Sequence, residues 1–131
     1  YFDFSLKFRK ALDIYVMNEE RSITINHRSG LFRFSTDKLM YVEIIAHRLY
    51  YHLIDGDIEM TGVLSEVERD LAGYGFLRCN NCYLVNPKFI VSVQGSEVQV
   101  GNRMLQISRP RRAAFLTGLA NWYAGQGNRH D

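Results

Sequence analysis

Hydrophobic positions recur with two different periods along this chain. In residues 5–17, Phe8, Ala11, Leu12, Tyr15 and Val16 stand at i, i+3, i+4, i+7 and i+8. That spacing lines up one apolar stripe and predicts an amphipathic helix, with Ser5 as its N-cap. Asn18-Glu19-Glu20 ends it as a short polar linker. From Arg21 the period becomes two: Ile23 and Ile25 alternate with Ser22, Thr24 and Asn26. Alternation of this kind puts one face of a strand on a core. Arg28-Ser29-Gly30 signals a turn, and residues 31–34 resume the strand pattern. Residues 39–45 and 49–54, rich in Tyr, Ile and Val, predict two more strands joined through Ala46-His47-Arg48. Asp55-Gly56-Asp57 predicts a hairpin turn, answered by a strand over 58–63.

The helical period returns briefly. Leu64, Val67 and Leu71 share a face, and Ser65-Glu66-Val67-Glu68 reads as a capping box with Ser65 at the N-cap. Gly73 and Gly75 stop this helix. Short strands are then expected over 76–79, 83–86, 89–93, 97–100 and 104–108, with turns at Gln94-Gly95-Ser96 and Gly101-Asn102. A last helix starts near Ser108 or Arg109, with Pro110 in its first turn. Phe115, Leu119 and Trp122 form its apolar stripe, and residues 125–131 read as a flexible tail. No βαβ unit, internal repeat or low-complexity segment stands out.

Composition narrows the class. A length of 131 residues fits one domain, and 47% hydrophobic with 13% aromatic residues supports a sizeable core. No run of about 18 apolar residues predicts a membrane span. The opening Tyr1-Phe2-Asp3-Phe4 lacks the features of a secretory leader, so a cytoplasmic location is expected. An initial Tyr in place of Met is expected of a piece cut from a longer chain or of a processed one.

Net charge is only +2, but it is unevenly placed. Residues 1–75 hold nine Lys/Arg against twelve Asp/Glu, a balance of −3; residues 76–131 hold seven against two, a balance of +5. A basic half suits a polyanion. It equally suits a solvated face or a β-rich interaction module that meets an acidic partner.

The densest candidate chemistry lies in Phe76-Leu77-Arg78-Cys79-Asn80-Asn81-Cys82-Tyr83-Leu84-Val85-Asn86. Asn80 and Asn81 fall where the chain must turn, and Asn tolerates left-handed backbone angles. Amides beside an Arg can also read base edges, because an amide pairs bidentately with adenine. Cys79-x-x-Cys82 raises a rival redox or zinc reading. Its flanks are strands rather than a βαβ unit, no second CxxC exists, and His27, His47, His52 and His130 lack ligand spacing with it. A lesser expectation is that Cys79, beside an Arg, has a lowered pKa, so that oxidation of Cys79 or Cys82 would distort the loop. Asp55, Asp57 and Glu59 read as a solvated hairpin, and no phosphate-cradling loop or hydrolytic triad emerges. No enzyme activity, cofactor or metal is expected.

The ordered set of segments resembles the LytTR DNA-binding domain family. The resemblance rests on the capped helix, on Phe76-x-Arg78-x-Asn80-Asn81-x-Tyr83-Leu84-Val85-Asn86-x-x-x-Ile90, on the Ser108-Arg109 that opens the last helix, and on Leu39-Met40-Tyr41-Val42-Glu43 upstream. It covers about residues 20–123. The chain departs from the family pattern at Asn80, where His is common, and at Cys82, where Ser is common, and it is shorter before His47.

This resemblance implies a mainly β, elongated antiparallel fold of three sheets, with a short inserted helix and helices at both ends. It implies the output domain (residues 21–124) of a bacterial two-component transcription regulator. Residues 1–20 would be a linker or the end of a preceding receiver domain. The implied partner is double-stranded promoter DNA, with two copies on direct repeats. By motif position, His47, Asn81 and Arg109 are the implied base contacts. Arg48, Arg78, Asn80, Lys88, Arg111 and Arg112 are the implied phosphate contacts, which position the domain without specifying sequence. Chemically, Arg109 can pair with guanine O6 and N7, and Asn81 with adenine N6 and N7. Asn86 is expected to bond nearby backbone at a strand end.

Overall fold

The structure, a computed structural model, describes residues 22–27 and 30–129, with the backbone alone for Asn26, His27 and 126–129. The helix expected at 5–17 and the turn residues Arg28 and Ser29 lie outside the described residues. The chain divides into two compact units at Leu39/Met40.

In the first unit, β1 (Ser22–His27) pairs antiparallel with β2 (Gly30–Ser35) as a two-stranded sheet. Ile23 opposes Phe34 and Ile25 opposes Phe32, so the apolar residues of the period-two pattern face each other across the ladder. A 3-10 turn over Thr36–Lys38 follows, capped by the Ser35 hydroxyl, which accepts from the Asp37 N–H at 3.1 Å.

The second unit carries a five-stranded sheet in the order β5-β4-β3-β7-β6 and a three-stranded sheet in the order β10-β9-β8. In the first of these, β3 (Leu39–Ile45) is central, β4 (Arg48–Leu53) and β5 (Gly56–Thr61) form a hairpin, and β7 (Tyr83–Val85) and β6 (Leu77–Arg78) complete the other side. In the second, β8 (Ile90–Gln94), β9 (Glu97–Val100) and β10 (Arg103–Gln106) form a meander with a register shift between Ile90 and Ser92. Alternation explains which residues go inside. Leu49, Tyr51 and Leu53 are buried on β4, while Tyr50 and His52 between them are half-buried.

Helix α1 (Leu64–Leu71) buries Leu64, Val67 and Leu71, the stripe read from the sequence. Its capping box is not formed. Val63 holds the N-cap position without a side-chain bond, Ser65 lies within the first turn, and Glu68 turns away. The Glu68 carboxylate accepts from Arg78 Nη1 at 2.6 Å instead. A charge-assisted bond to a guanidinium outcompetes a neutral backbone N–H. The chain leaves through a 3-10 turn, Ala72–Tyr74, and Gly75 stops it at φ +86°. A Cβ on Gly75 would sit 3.0 Å from Trp122 Cδ1, so both the backbone angle and the space call for glycine.

Helix α2 (Arg112–Arg129) is preceded by a 3-10 turn, Arg109–Arg111, with Pro110 inside it. Residues 125–129, expected as tail, continue the helix. Once a helix is nucleated and docked, each added residue forms one more backbone bond, and no proline follows Pro110 to stop it. Phe115 and Leu119 anchor α2 in a core shared with Val98, Val100, Leu105, Ile107, Tyr41, Cys79 and Val85. At Gly118 a Cβ would lie 2.5 Å from Leu77 Cδ2, so α2 packs against β6 closely enough to leave no room for a side chain there.

Candidate nucleic-acid interface

The β3–β4 connection is two residues long, and both are left-handed: Ala46 has φ +48° and His47 has φ +68°. Two positive φ angles make a type I′ hairpin, whose twist matches that of the strands. Neither residue is Gly or Asn, so the turn stores strain of about 1–2 kcal/mol per residue. The strand pairing on either side imposes it. His47 is exposed, and its carbonyl accepts from the Gly62 N–H at 3.4 Å.

The loop 79–82 joins β6 to β7. Neither Asn80 nor Asn81 takes the left-handed angles expected of them. The turn is closed by side-chain bonding instead: Asn80 Oδ1 accepts from the Cys82 N–H at 2.7 Å, and Cys79 N–H donates to the Tyr83 carbonyl at 3.2 Å. This is the Asx geometry, a side chain standing in for a backbone carbonyl. Asn80 Nδ2 also donates to the Gln106 carbonyl at 2.6 Å, tying the loop to the end of β10.

Backbone bonds then gather the three bends around this loop. The Ile44 N–H donates to the Cys82 carbonyl at 2.9 Å, which bonds the end of β3, three residues before His47, to the loop. The Ser108 N–H donates to the Cys79 carbonyl at 2.8 Å, which bonds the residue before Arg109 to the loop's other end. Asn81 lies between these two bonds. His47, Asn81 and Arg109 are all exposed. Their side chains make no hydrogen bond or ion pair among the described residues.

The residues expected on phosphates divide. Arg48 is exposed and pairs with Glu59 at 3.1 Å, both side chains about half open. A pair of that kind holds its partners weakly. Lys88 is exposed, with Nζ 6.0 Å from the Phe89 ring centre. Arg111 is half-buried, and Arg112 donates to the Gly95 carbonyl at the β8–β9 turn. Arg78 and Asn80 depart from expectation. Arg78 is turned inward, its side chain 12% exposed against Glu68, and Asn80 is engaged by Gln106 and Cys82. Their donors serve the loop because two adjacent carbonyls and a carboxylate lie within reach.

The thiol expectation is corrected. Cys79 is fully buried, and burial pushes its pKa up from 9.0 to about 12, with Arg78 and Arg111 opposing only weakly. A protonated core thiol is a poor nucleophile. Cys79 and Cys82 are both free, and only Cys82 is exposed. Asn86 caps the 3-10 turn Pro87–Phe89, its Oδ1 accepting from the Lys88 N–H at 3.0 Å.

A polar cluster on the five-stranded sheet was not foreseen. Glu43 Oε1 meets His52 Nε2 at 2.8 Å, and Glu43 Oε2 accepts from the Tyr83 hydroxyl at 3.0 Å. His52 Nδ1 meets Asp57 Oδ1 at 3.0 Å, which links the exposed hairpin residue Asp57 to this cluster. Arg103 donates to the Tyr41 hydroxyl at 2.9 Å and the Tyr83 hydroxyl at 3.3 Å. Tyr41 and His52 stack with centroids 4.4 Å apart. Burial raises the pKa of both Tyr41 and Tyr83, helped at Tyr83 by the bond to Glu43. The signal available in the sequence was Glu43 itself. A carboxylate inside an apolar strand must find donors.

The β-built scaffold thus ties three exposed, polar bends together, with basic residues beside them. The sequence matches the profile of the LytTr DNA-binding domain over residues 29–119, and the chain belongs to that family. Among solved structures it is similar to the LytTr DNA-binding domain of a Bacillus cereus protein described as a methyl-accepting/DNA response regulator. That match has a TM-score of 0.63 and 21% identity, and covers 76% of this chain and 96% of the other. No curated protein matches the chain. The expected mainly β fold with three sheets is present, and the family is one of DNA-binding domains rather than catalysts. Among the described residues no helix is long and apolar enough to cross a membrane.

Proposed function

We propose that this domain reads double-stranded DNA in a sequence-specific way, as the output domain of a bacterial two-component transcription regulator working in the cytoplasm. Arg109 pairs with guanine, Asn81 with adenine, and His47 bonds a base edge. Lys88, Arg111, Arg48 and Arg112 supply phosphate contacts. Two copies occupy direct repeats spaced by a whole number of helical turns, because same-face docking needs that phasing. A receiver domain controls the module in the full regulator.

One observation carries this reading. The three motif-position side chains are left open on bends that are themselves bonded into one loop system. Selection of bound duplexes from a random pool tests it. Wild-type protein should enrich one motif, and Arg109→Ala should lose information at one guanine of that motif. Enrichment of no motif would overturn the proposal.

A further inference from the structure

Every carbonyl of the loop 79–82 is occupied. Cys79 O accepts from the Ser108 N–H, and Cys82 O accepts from the Ile44 N–H. The two between them, Asn80 O and Asn81 O, are both held by the Arg78 side chain, from Nε at 3.0 Å and from Nη2 at 3.1 Å. The remaining arm of the guanidinium, Nη1, reaches Glu68 on α1 at 2.6 Å. One planar fork therefore fixes two successive peptide planes, those on either side of the Asn81 Cα, and is itself oriented by a carboxylate from a different element.

We propose that Arg78, oriented by Glu68, is a positioning residue that presets Asn81 for base reading rather than a phosphate contact. The inference rests on the DNA-reading role of Asn81 and adds how that side chain is aimed. A bidentate amide–adenine contact needs its amide plane held in one geometry, and a loop fixed in advance loses less entropy on binding. Arginine suits the task and lysine does not, because a point charge cannot span two carbonyls in a fixed plane. With Glu68 at contact distance and only 12% of its side chain exposed, Arg78 offers little positive field to DNA. Glu68 then acts against its own charge: an acid near a DNA-binding loop repels phosphate, yet here it supports recognition.

The test uses the full chain with Arg78→Lys, Glu68→Gln and Arg109→Ala, titrated onto the selected duplex and its scrambled version at several salt concentrations. Amide exchange of the free protein is measured alongside. Positioning predicts that Arg78→Lys and Glu68→Gln each lower the preference for the selected duplex by roughly fivefold or more. Affinity for the scrambled duplex and the slope of log affinity against log salt should stay at wild-type values. Exchange should quicken at the Cys79 and Cys82 amides while β3 and β9 keep their protection.

A phosphate role predicts the opposite pattern, and its appearance would overturn the inference. Arg78→Lys would be tolerated, and Glu68→Gln would tighten binding to every duplex. Exchange that quickens throughout the second unit, with preference intact in the folded fraction, would reduce Arg78 to a stability residue and also overturn it. If wild-type protein shows no preference and Arg109→Ala behaves like it, the DNA-reading proposal fails, and this inference fails with it. Wild-type preference retained in both loop variants would overturn this inference alone.

Discussion

Two polar clusters in the second unit use similar residue types and end differently. Glu43, His52, Asp57, Tyr83 and Tyr41 on the five-stranded sheet, with Arg103 from β10, bond to one another. Around the loop 79–82, every backbone carbonyl is bonded while the side chains of His47, Asn81 and Arg109 remain open at the surface. The sheet cluster is closed because its centre, Glu43 and Tyr41 with the half-buried His52 and Tyr83, lies largely out of water, where an unpaired polar atom costs about 1–3 kcal/mol. The loop side chains stay in water and incur no such cost. The difference separates architecture from recognition: a polar side chain that is already satisfied has nothing left to offer a partner.

Breaking the closed cluster should have the largest effect. Glu43→Ala removes the acceptor for both His52 and Tyr83, and should lower unfolding free energy by about 2–4 kcal/mol in denaturant titrations. Preference among duplexes should be unchanged in the protein that remains folded. Next come the open side chains. Asn81→Ala and Arg109→Ala should each cost roughly 1–3 kcal/mol on the preferred site and relax specificity there, with no change in thermal midpoint. Equal losses on every duplex would mean that they touch only phosphate.

A pH series sharpens the contrast from the core side. Cys79 titrates at about 12 in the fold against 9.0 when free, and Tyr41 and Tyr83 are likewise raised from 10.0. A raised acid pKa means that the fold favours the protonated form. The stabilisation is therefore whole below about pH 9 and is lost as pH climbs towards 12. Denaturant midpoints should fall between neutral pH and about pH 11, and Cys79→Ala should flatten part of that fall. The strained turn gives a smaller effect of opposite sign: Ala46→Gly should raise stability by about 1 kcal/mol, since glycine accepts φ +48° without cost. The smallest effect is expected from Arg48→Ala. It should change stability by less than about 1 kcal/mol, because the Arg48–Glu59 pair is solvent-screened, and should weaken all duplexes alike.

Much of this was legible in the sequence, for identifiable reasons. Strands with clear alternation, such as β4, and the apolar stripes of α1 and α2 followed from spacing, because side-chain direction is set by backbone period. What escaped depended on contacts between distant residues. Glu68 looked like a capping residue because Ser65 stood three before it, and only the fold brings Arg78 within reach of it. Motif position suggests Arg78 as a phosphate ligand, and only the fold shows its donors on Glu68 and the loop carbonyls. Asn80 and Asn81 suggested left-handed angles, but Asn80 closes the turn with its side chain and the left-handed residues are Ala46 and His47. Nothing in their residue types announces that, because the strand register imposes it. Cys79 beside an Arg suggested a reactive thiol, and its place in the core reverses the shift.

The most direct test is a fluorescence-anisotropy titration of the selected duplex and its scrambled version from about 50 to 200 mM salt. Both affinities should fall log-linearly as salt rises, while the selected duplex stays the tighter at every concentration. Equal affinity for the two duplexes throughout, or binding indifferent to salt, would contradict the account.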